Sequence, residues 1–239
     1  SWSGNLVTNA TWSDIWLNEG TTVYFENRIM EALYGRDRAM QEQVLGWGEL
    51  SAELATTAPD DTKLHIDLTG RDPDDGLSGV PYEKGAAMLR TIERIVGRKT
   101  FDAWLRGYFD RHAFQPMTDV GFLADIRENL IKGDAALEAQ LQLENWIYKP
   151  GMPSNWVPPV SHAFEAVDQQ AKAFFADKGP ASAIDWKNWN TQQRQRFLAW
   201  RPEGLKAGAD WLTTAQLADL EKTLNLANEG NAELTFAWL

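Results

Sequence analysis

The chain has 239 residues, 44% hydrophobic and 24% charged, the balance of a soluble globular protein of one or two domains and not of a disordered or fibrous one. Its 23 basic and 34 acidic residues leave a net charge of −11, of which −9 falls in residues 1–162, and no Lys/Arg stripe is present, so neither nucleic acid nor a membrane is an expected partner. With no cysteine, disulfides, thiolate zinc sites and cysteine nucleophiles are excluded, while the cytoplasm, the expected compartment, and the periplasm both stay open.

Read in chain order, the pattern is helical almost throughout. Ser1-Trp2-Ser3-Gly4-Asn5 has no initiator Met and no positive stretch, and the last residues, 234–239, stop inside an apolar run, so a piece of a longer protein is expected. Thr11 or Ser13 caps a helix over 12–33, closed by Gly35, and a second helix covers 37–55. Residues 57–81 read as a long loop in which Leu64, Ile66 and Leu68 alternate as a short strand at most. Helices resume over 82–96, 100–112, 119–131, with Asp119 as N-cap, and 135–147. Four prolines within 149–160 cannot continue a helix and mark a linker. Beyond it, helical pieces fit 162–177, 191–200, 214–224 and 231 to the end. The fold class is mainly α, and twelve tryptophans call for a large core.

The first helix is the most informative. Trp12, Ile15, Trp16 and Val23 form its apolar stripe, and Glu19 lies on that stripe, with Glu26 nearby as a structural residue. A carboxylate on a buried face costs several kcal/mol unless it is paired or bound to a metal. Spacing alone leaves two readings of Glu19 open: a metal ligand or catalytic acid, or a carboxylate paired with an Arg or capping a neighbouring helix. The acidic loop from Asp72 has the outline of a calcium loop, with Glu83 in twelfth place. Gly76 and Leu77 occupy its fifth and sixth places, where Asp or Asn and then Gly are required, so the pattern fails. His65, His112 and His162 are never four residues apart and read as helix-end or surface residues. The chain contains no H-E-x-x-H, no Gly-rich phosphate loop and no G-x-S-x-G.

Trp16-Leu17-Asn18-Glu19-Gly20 resembles the third-ligand helix of the zinc aminopeptidases that include aminopeptidase N and leukotriene hydrolase, the gluzincins. Residues 1–8 are similar to the stretch that follows the second His of that family's H-E-x-x-H helix. Val80-Pro81-Tyr82-Glu83-Lys84-Gly85 resembles the family's V-x-Y-x-K-G segment, whose tyrosine stabilises an oxyanion. Residues 45–50 and 146–153 are similar to the leukotriene-hydrolase branch, the latter at its junction into a helical C-terminal domain.

The resemblance implies the C-terminal helical half of a thermolysin-like catalytic domain over 1–150, a Pro-rich linker over 151–162, and the start of an α-superhelical, armadillo- or HEAT-like domain over 163–239. It implies Glu19 as the third ligand of one zinc ion and Tyr82 as the oxyanion donor. Asp74 would line the substrate pocket, and Asp14 would orient a zinc ligand from behind. Leu77 stands where the branch has a second pocket tyrosine, which puts peptides, not lipid epoxides, forward as substrates. Both His ligands, the general base and the G-x-M-E-N amine-binding segment belong before Ser1. The chain alone is therefore expected to bind no zinc at Glu19 and to be inactive, in a parent that is a zinc metalloaminopeptidase. The alternative is a non-catalytic helical binding or scaffolding module derived from the family. Glu19 and Tyr82 facing one cleft distinguishes the first reading from the second.

With the zinc-motif helix missing, the face around Trp12 and Trp16 is expected to be exposed, and an exposed apolar patch favours self-association. Light scattering over a concentration series is expected to give a mass above that of one chain. A constant monomer mass contradicts this.

Overall fold

The structure is a computed structural model that describes residues 2–202, 204–205 and 211–239. It is mainly α and divides into two units, Ser1–Leu33 with Gly46–Pro159 and Tyr34–Leu45 with Val160–Leu239. No helix among the described residues is long and apolar enough to cross a membrane.

In the first unit a short strand, β1 (Val7–Asn9), leads to a turn at Trp12–Asp14 and then to α1 (Trp16–Tyr34). The next helix, α2 (Arg36–Thr56), begins in the second unit and ends in the first. After the 57–79 loop come α3 (Val80–Val96), α4 (Arg98–Arg111), β2 (Gln115–Met117), α5 (Asp119–Ile126), α6 (Ala135–Leu141) and α7 (Leu143–Tyr148). The two strands pair in parallel, Val7 opposite Gln115 and Asn9 opposite Met117.

The core of this unit forms around α3, whose Ala86–Leu89 stretch and Ile92 are at most 1% exposed. Trp16, Tyr24, Phe101, Trp104, Tyr108, Phe122 and Trp146 pack in the same cluster. Small residues at 85–87 let α1 come close. A Cβ on Gly20 would lie 2.6 Å from the Gly85 Cα, and one on Gly85 would lie 2.9 Å from the Gly20 Cα and 3.3 Å from the Trp16 carbonyl oxygen. The two helices therefore touch backbone to backbone, which only glycine permits at both positions.

One turn of α3 carries a buried amine. Lys84 is 0% exposed, and its Nζ donates to the carbonyl oxygens of Thr62, at 2.7 Å, and Lys149, at 3.0 Å. These carbonyls belong to the 57–79 loop and to the end of α7. Two acceptors match the two N–H bonds of a neutral amine, whereas an ammonium would bury a third donor. Burial accordingly pushes Lys84 down to about 7.

The second unit contains α8 (His162–Phe175), α9 (Thr191–Leu198), α10 (Thr214–Leu224) and α11 (Ala232–Trp238). Phe174, Phe175, Trp186, Trp189 and Phe197 form its aromatic core, closed by Leu220, Leu226 and Leu234. The starts of α9 and α10 carry reciprocal capping boxes, Asn190 with Gln193 and Thr213 with Gln216.

Several expectations need correction. The helix expected over 12–33 is a capped turn followed by α1, because Asp14 folds back on Thr11. Thr118, not Asp119, is the N-cap of α5, its side chain accepting from the Gly121 N–H. The helix expected over 135–147 breaks at Gln142, which has a left-handed φ of 52°. No strand forms over 64–68; the His65 N–H donates to the Ile147 carbonyl instead. Trp16 does not join an exposed face. It is 1% exposed, its ring edge-on to Phe122 at 5.2 Å, while Trp12 is 53% exposed.

Gly20→Ala is expected to cost about 1–3 kcal/mol by overpacking the helix crossing, although Ala is otherwise the better helix former by ~1 kcal/mol. Urea unfolding checks this, and a neutral or stabilising result contradicts the close crossing. Lys84 binds a proton in the unfolded chain at pH values where the folded chain has released it. Stability should therefore rise with pH between about 7 and the ordinary lysine value of 10.5, by at most ~1.4 kcal/mol per pH unit from this group. Unfolding midpoints measured against pH should show this rise in the native chain and lack it in Lys84→Met.

Candidate active site

Each residue of the 16–20 segment has a separate physical task. Trp16 and Leu17 face the core. Asn18 ties the first turn of α1 to the end of β1: its Oδ1 accepts from the Asn9 N–H at 3.0 Å, and its Nδ2 donates to the Asn9 Oδ1 at 2.5 Å. Gly20 forms the helix crossing. Glu19 is left as the outward residue of that turn, half-buried.

The 80–85 segment divides its work in the same way. Val80 and Pro81 are buried at the start of α3, where proline is tolerated because its missing N–H has no helical partner. Tyr82 follows them. The Glu83 carboxylate lies against α2, where a Cβ at Gly46 would come within 2.5 Å of its Oε2. Lys84 binds two carbonyls, and Gly85 meets Gly20.

The crossing puts Glu19 and Tyr82 one and three residues from the same backbone contact, near enough for the charge of Glu19 to act on the phenol. The Tyr82 phenol is raised above its ordinary value, first by partial burial and then by the negative charge of Glu19. It therefore stays protonated at neutral pH and is a hydrogen-bond donor. Glu19 is raised by burial alone, and among the described residues no hydrogen bond or ion pair reaches its carboxylate. A half-buried carboxylate with no donor and no basic partner suits a cation ligand. It supplies one donor, and the chain has no H-E-x-x-H to supply others.

The other candidates lie elsewhere, all in the first unit except His162. Asp74 is exposed in the Pro73–Gly76 turn, where the Asp72 side chain accepts from its N–H at 3.0 Å, and this turn packs near the Trp12–Asp14 turn. Leu77 follows it, 46% exposed. Asp14 is 2% exposed and directs its oxygens to Thr11 and to the Asp119 N–H at the start of α5. His112 ends α4 and meets the buried Asp125 at 2.9 Å, whereas His162 is exposed beside Glu165. His65 departs from the surface reading: its Nδ1 lies 2.9 Å from Asp119 Oδ2. The crossing of Gly20 with Gly85 and the fit of Glu83 against Gly46 escape sequence reasoning. The signal available for them is that the segments 16–20, 45–50 and 80–85 each carry a glycine inside a helix, where glycine costs ~1 kcal/mol relative to Ala.

The profile of the Peptidase family M1 domain matches residues 1–146. The leukotriene A-4 hydrolase homolog of Botryotinia fuckeliana is 35% identical over 239 residues, covering 98% of this chain and 36% of that protein. Leucine aminopeptidase 2 of Sclerotinia sclerotiorum is 34% identical, covering 98% of this chain and 38% of its own length. The structure of yeast LTA4 hydrolase in complex with bestatin superposes with a TM-score of 0.87 at 31% identity, over 99% of this chain and 41% of that one. The chain thus spans about two fifths of the relatives it matches. With a family profile covering more than half of its residues and relatives aligned over nearly all of them, the chain belongs to peptidase family M1.

Proposed function

We propose that these 239 residues are part of a zinc aminopeptidase that removes N-terminal residues from peptides. The observation that carries this is the convergence of Glu19 and Tyr82, held by the backbone contact of Gly20 with Gly85. A binding or scaffolding module has no use for a partnerless half-buried carboxylate beside a protonated phenol, so the convergence favours the enzyme.

Zinc is the metal of M1 peptidases, and when bound it polarises the scissile carbonyl and acidifies a water. In this reading Glu19 supplies one of its three protein ligands. Tyr82 keeps its proton and donates a hydrogen bond to the oxygen that becomes negative as the peptide carbonyl is attacked. Pro81 and the buried start of α3 fix the phenol before substrate arrives, so little reorganisation is needed at the moment of reaction. Asp74 would face the substrate from its exposed turn. Asp14 would act indirectly, by fixing the turn that precedes α1. Residues 1–150 are the helical part of a catalytic domain, 151–162 a Pro-rich linker, and 163–239 the start of a helical C-terminal domain.

These residues alone carry one of three zinc ligands and no general base, so we infer that the isolated chain is inactive. The exposed Trp2 and Trp12, at 62% and 53%, are the surface through which it would self-associate.

Coding DNA upstream of the Ser1 codon is expected to read H-E-x-x-H in frame. In the protein carrying that motif, Glu19→Gln is expected to lose the zinc held with that motif, and with it activity. Tyr82→Phe is expected to retain zinc and KM while kcat falls by about 10²–10³-fold. An unchanged kcat in Tyr82→Phe, or peptidase activity of the isolated chain that Glu19→Ala abolishes, overturns the assignment.

A further inference from the structure

Asp14, His65 and Asp119 come from three distant segments: the turn before α1, the 57–79 loop and the first residue of α5. One ligand atom from each lies within 4.8 Å of the other two. Asp14 is 2% exposed and Asp119 4%, and among the described residues no Lys or Arg forms an ion pair with either. Elsewhere this protein treats a buried aspartate differently. The Asp125 side chain, 3% exposed, receives two hydrogen bonds from Arg111, one from Trp104 and one contact from His112.

Asp14 and Asp119 have weaker compensation. Asp14 accepts from the Asp119 N–H at 2.9 Å and from the Thr11 N–H and hydroxyl at 3.2 and 2.6 Å. Asp119 accepts from the Val120 N–H at 2.7 Å, and the Tyr148 hydroxyl, raised by burial and by Asp119, lies beside it as a protonated neighbour. All of these donors are neutral, so two buried negative charges face a single imidazole. Buried charges of this kind are paired or coordinate a metal.

The imidazole gives a second, independent indication. His65 Nδ1 is wholly buried and lies 2.9 Å from Asp119 Oδ2, yet it makes no hydrogen bond of acceptable geometry. Two donor atoms that are close but do not point at each other are what a shared ion produces. With bonds of about 2.0–2.1 Å, two ligand atoms on one ion stand about 3.0–3.4 Å apart. The rest of the imidazole is open to solvent, its side chain 37% exposed, which gives an ion a way in.

We propose that Asp14, His65 and Asp119 form a divalent transition-metal site that takes zinc. One imidazole nitrogen with two carboxylate oxygens favours zinc over magnesium or calcium, which take oxygen ligands. Three protein ligands leave a position for water. The ion neutralises the two aspartates and clamps the turn before α1 to the 57–79 loop and to α5. The site shares no residue with Glu19 and Tyr82 and does not depend on the aminopeptidase reading.

The test uses the 239-residue chain without an affinity tag, stripped with chelator and titrated with zinc chloride in a calorimeter. Cobalt(II) absorption serves as a second reporter of ligand number. One zinc per chain is expected, with a rise in Tm and cobalt d–d bands that zinc displaces. His65→Gln, at a partly exposed position, should keep the native circular dichroism and weaken zinc binding at least tenfold. Asp119→Asn should do the same, and Glu19→Gln should leave binding unchanged. No zinc uptake at micromolar concentrations overturns the proposal. So does uptake that His65→Gln and Asp119→Asn leave intact, or uptake that Glu19→Gln abolishes.

Discussion

The contact of Gly20 with Gly85 is the constraint on which the first unit depends. Two helices that cross through side chains lie 8–10 Å apart; with no Cβ on either side they approach closer. Here the approach is close enough that a methyl group at either position would overlap the opposite backbone. Glu19 and Tyr82 stand one and three residues from the crossing, so their separation is set by backbone and not by side-chain packing. Backbone contact is stiffer than a contact between rotamers, which is what a site needing sub-ångström placement requires.

The same logic extends outward from the crossing. Glu83, next to Tyr82, lodges against Gly46 of α2. Trp47 then packs tilted against Trp156, their centroids 5.5 Å apart, and Trp156 also meets Trp146 edge-on at 6.0 Å. Lys84 joins Thr62 to Lys149, at the end of the helix that carries Trp146. Four sequence segments separated by tens of residues, 16–20, 45–50, 80–85 and 146–153, are therefore one connected set of contacts. Their residue types follow from those contacts: glycine where backbones or a carboxylate press in, lysine where two carbonyls need a donor, tryptophan where a wide gap must be filled.

Much of this was legible in the sequence because helices announce themselves locally. The 3.6-residue period and the breakers placed most helices of both units within a few residues, and the Glu19 and Tyr82 segments were readable as motifs. Features decided by distant partners were not. β1 and β2 are three residues each and more than a hundred residues apart in sequence, too short to show alternation. Trp12 and Trp16 share a stripe, but only Trp16 is covered, because Phe122 of α5 reaches it. Gln142 breaks a helix without being Gly or Pro, through a left-handed φ that Asn, Asp and Gly adopt more readily. His65 looked like a surface residue because nothing near it in sequence reveals Asp14 and Asp119.

Compensation of buried charge separates the residues that hold this fold from those available for chemistry. Asp125 is surrounded by donors that include a guanidinium. The buried Lys84 amine, its hold on a proton weakened by burial, donates to two carbonyls. In each case removing one partner strands the other, so the set is structural. Glu19 has no such partner and its desolvation is left standing, while the Asp14–Asp119 pair is met only by neutral donors and one imidazole. Burial without a counter-charge is tolerated where a group is kept ready for a cation or a proton. Asp14 and Glu19 are five residues apart, on either side of the start of α1, so the backbone crossing at Gly20 lies next to two carboxylates that no Lys or Arg pairs with among the described residues. The stiffness of the one offsets the cost of the other, because a carboxylate that could swing into solvent would relieve its burial and lose its place.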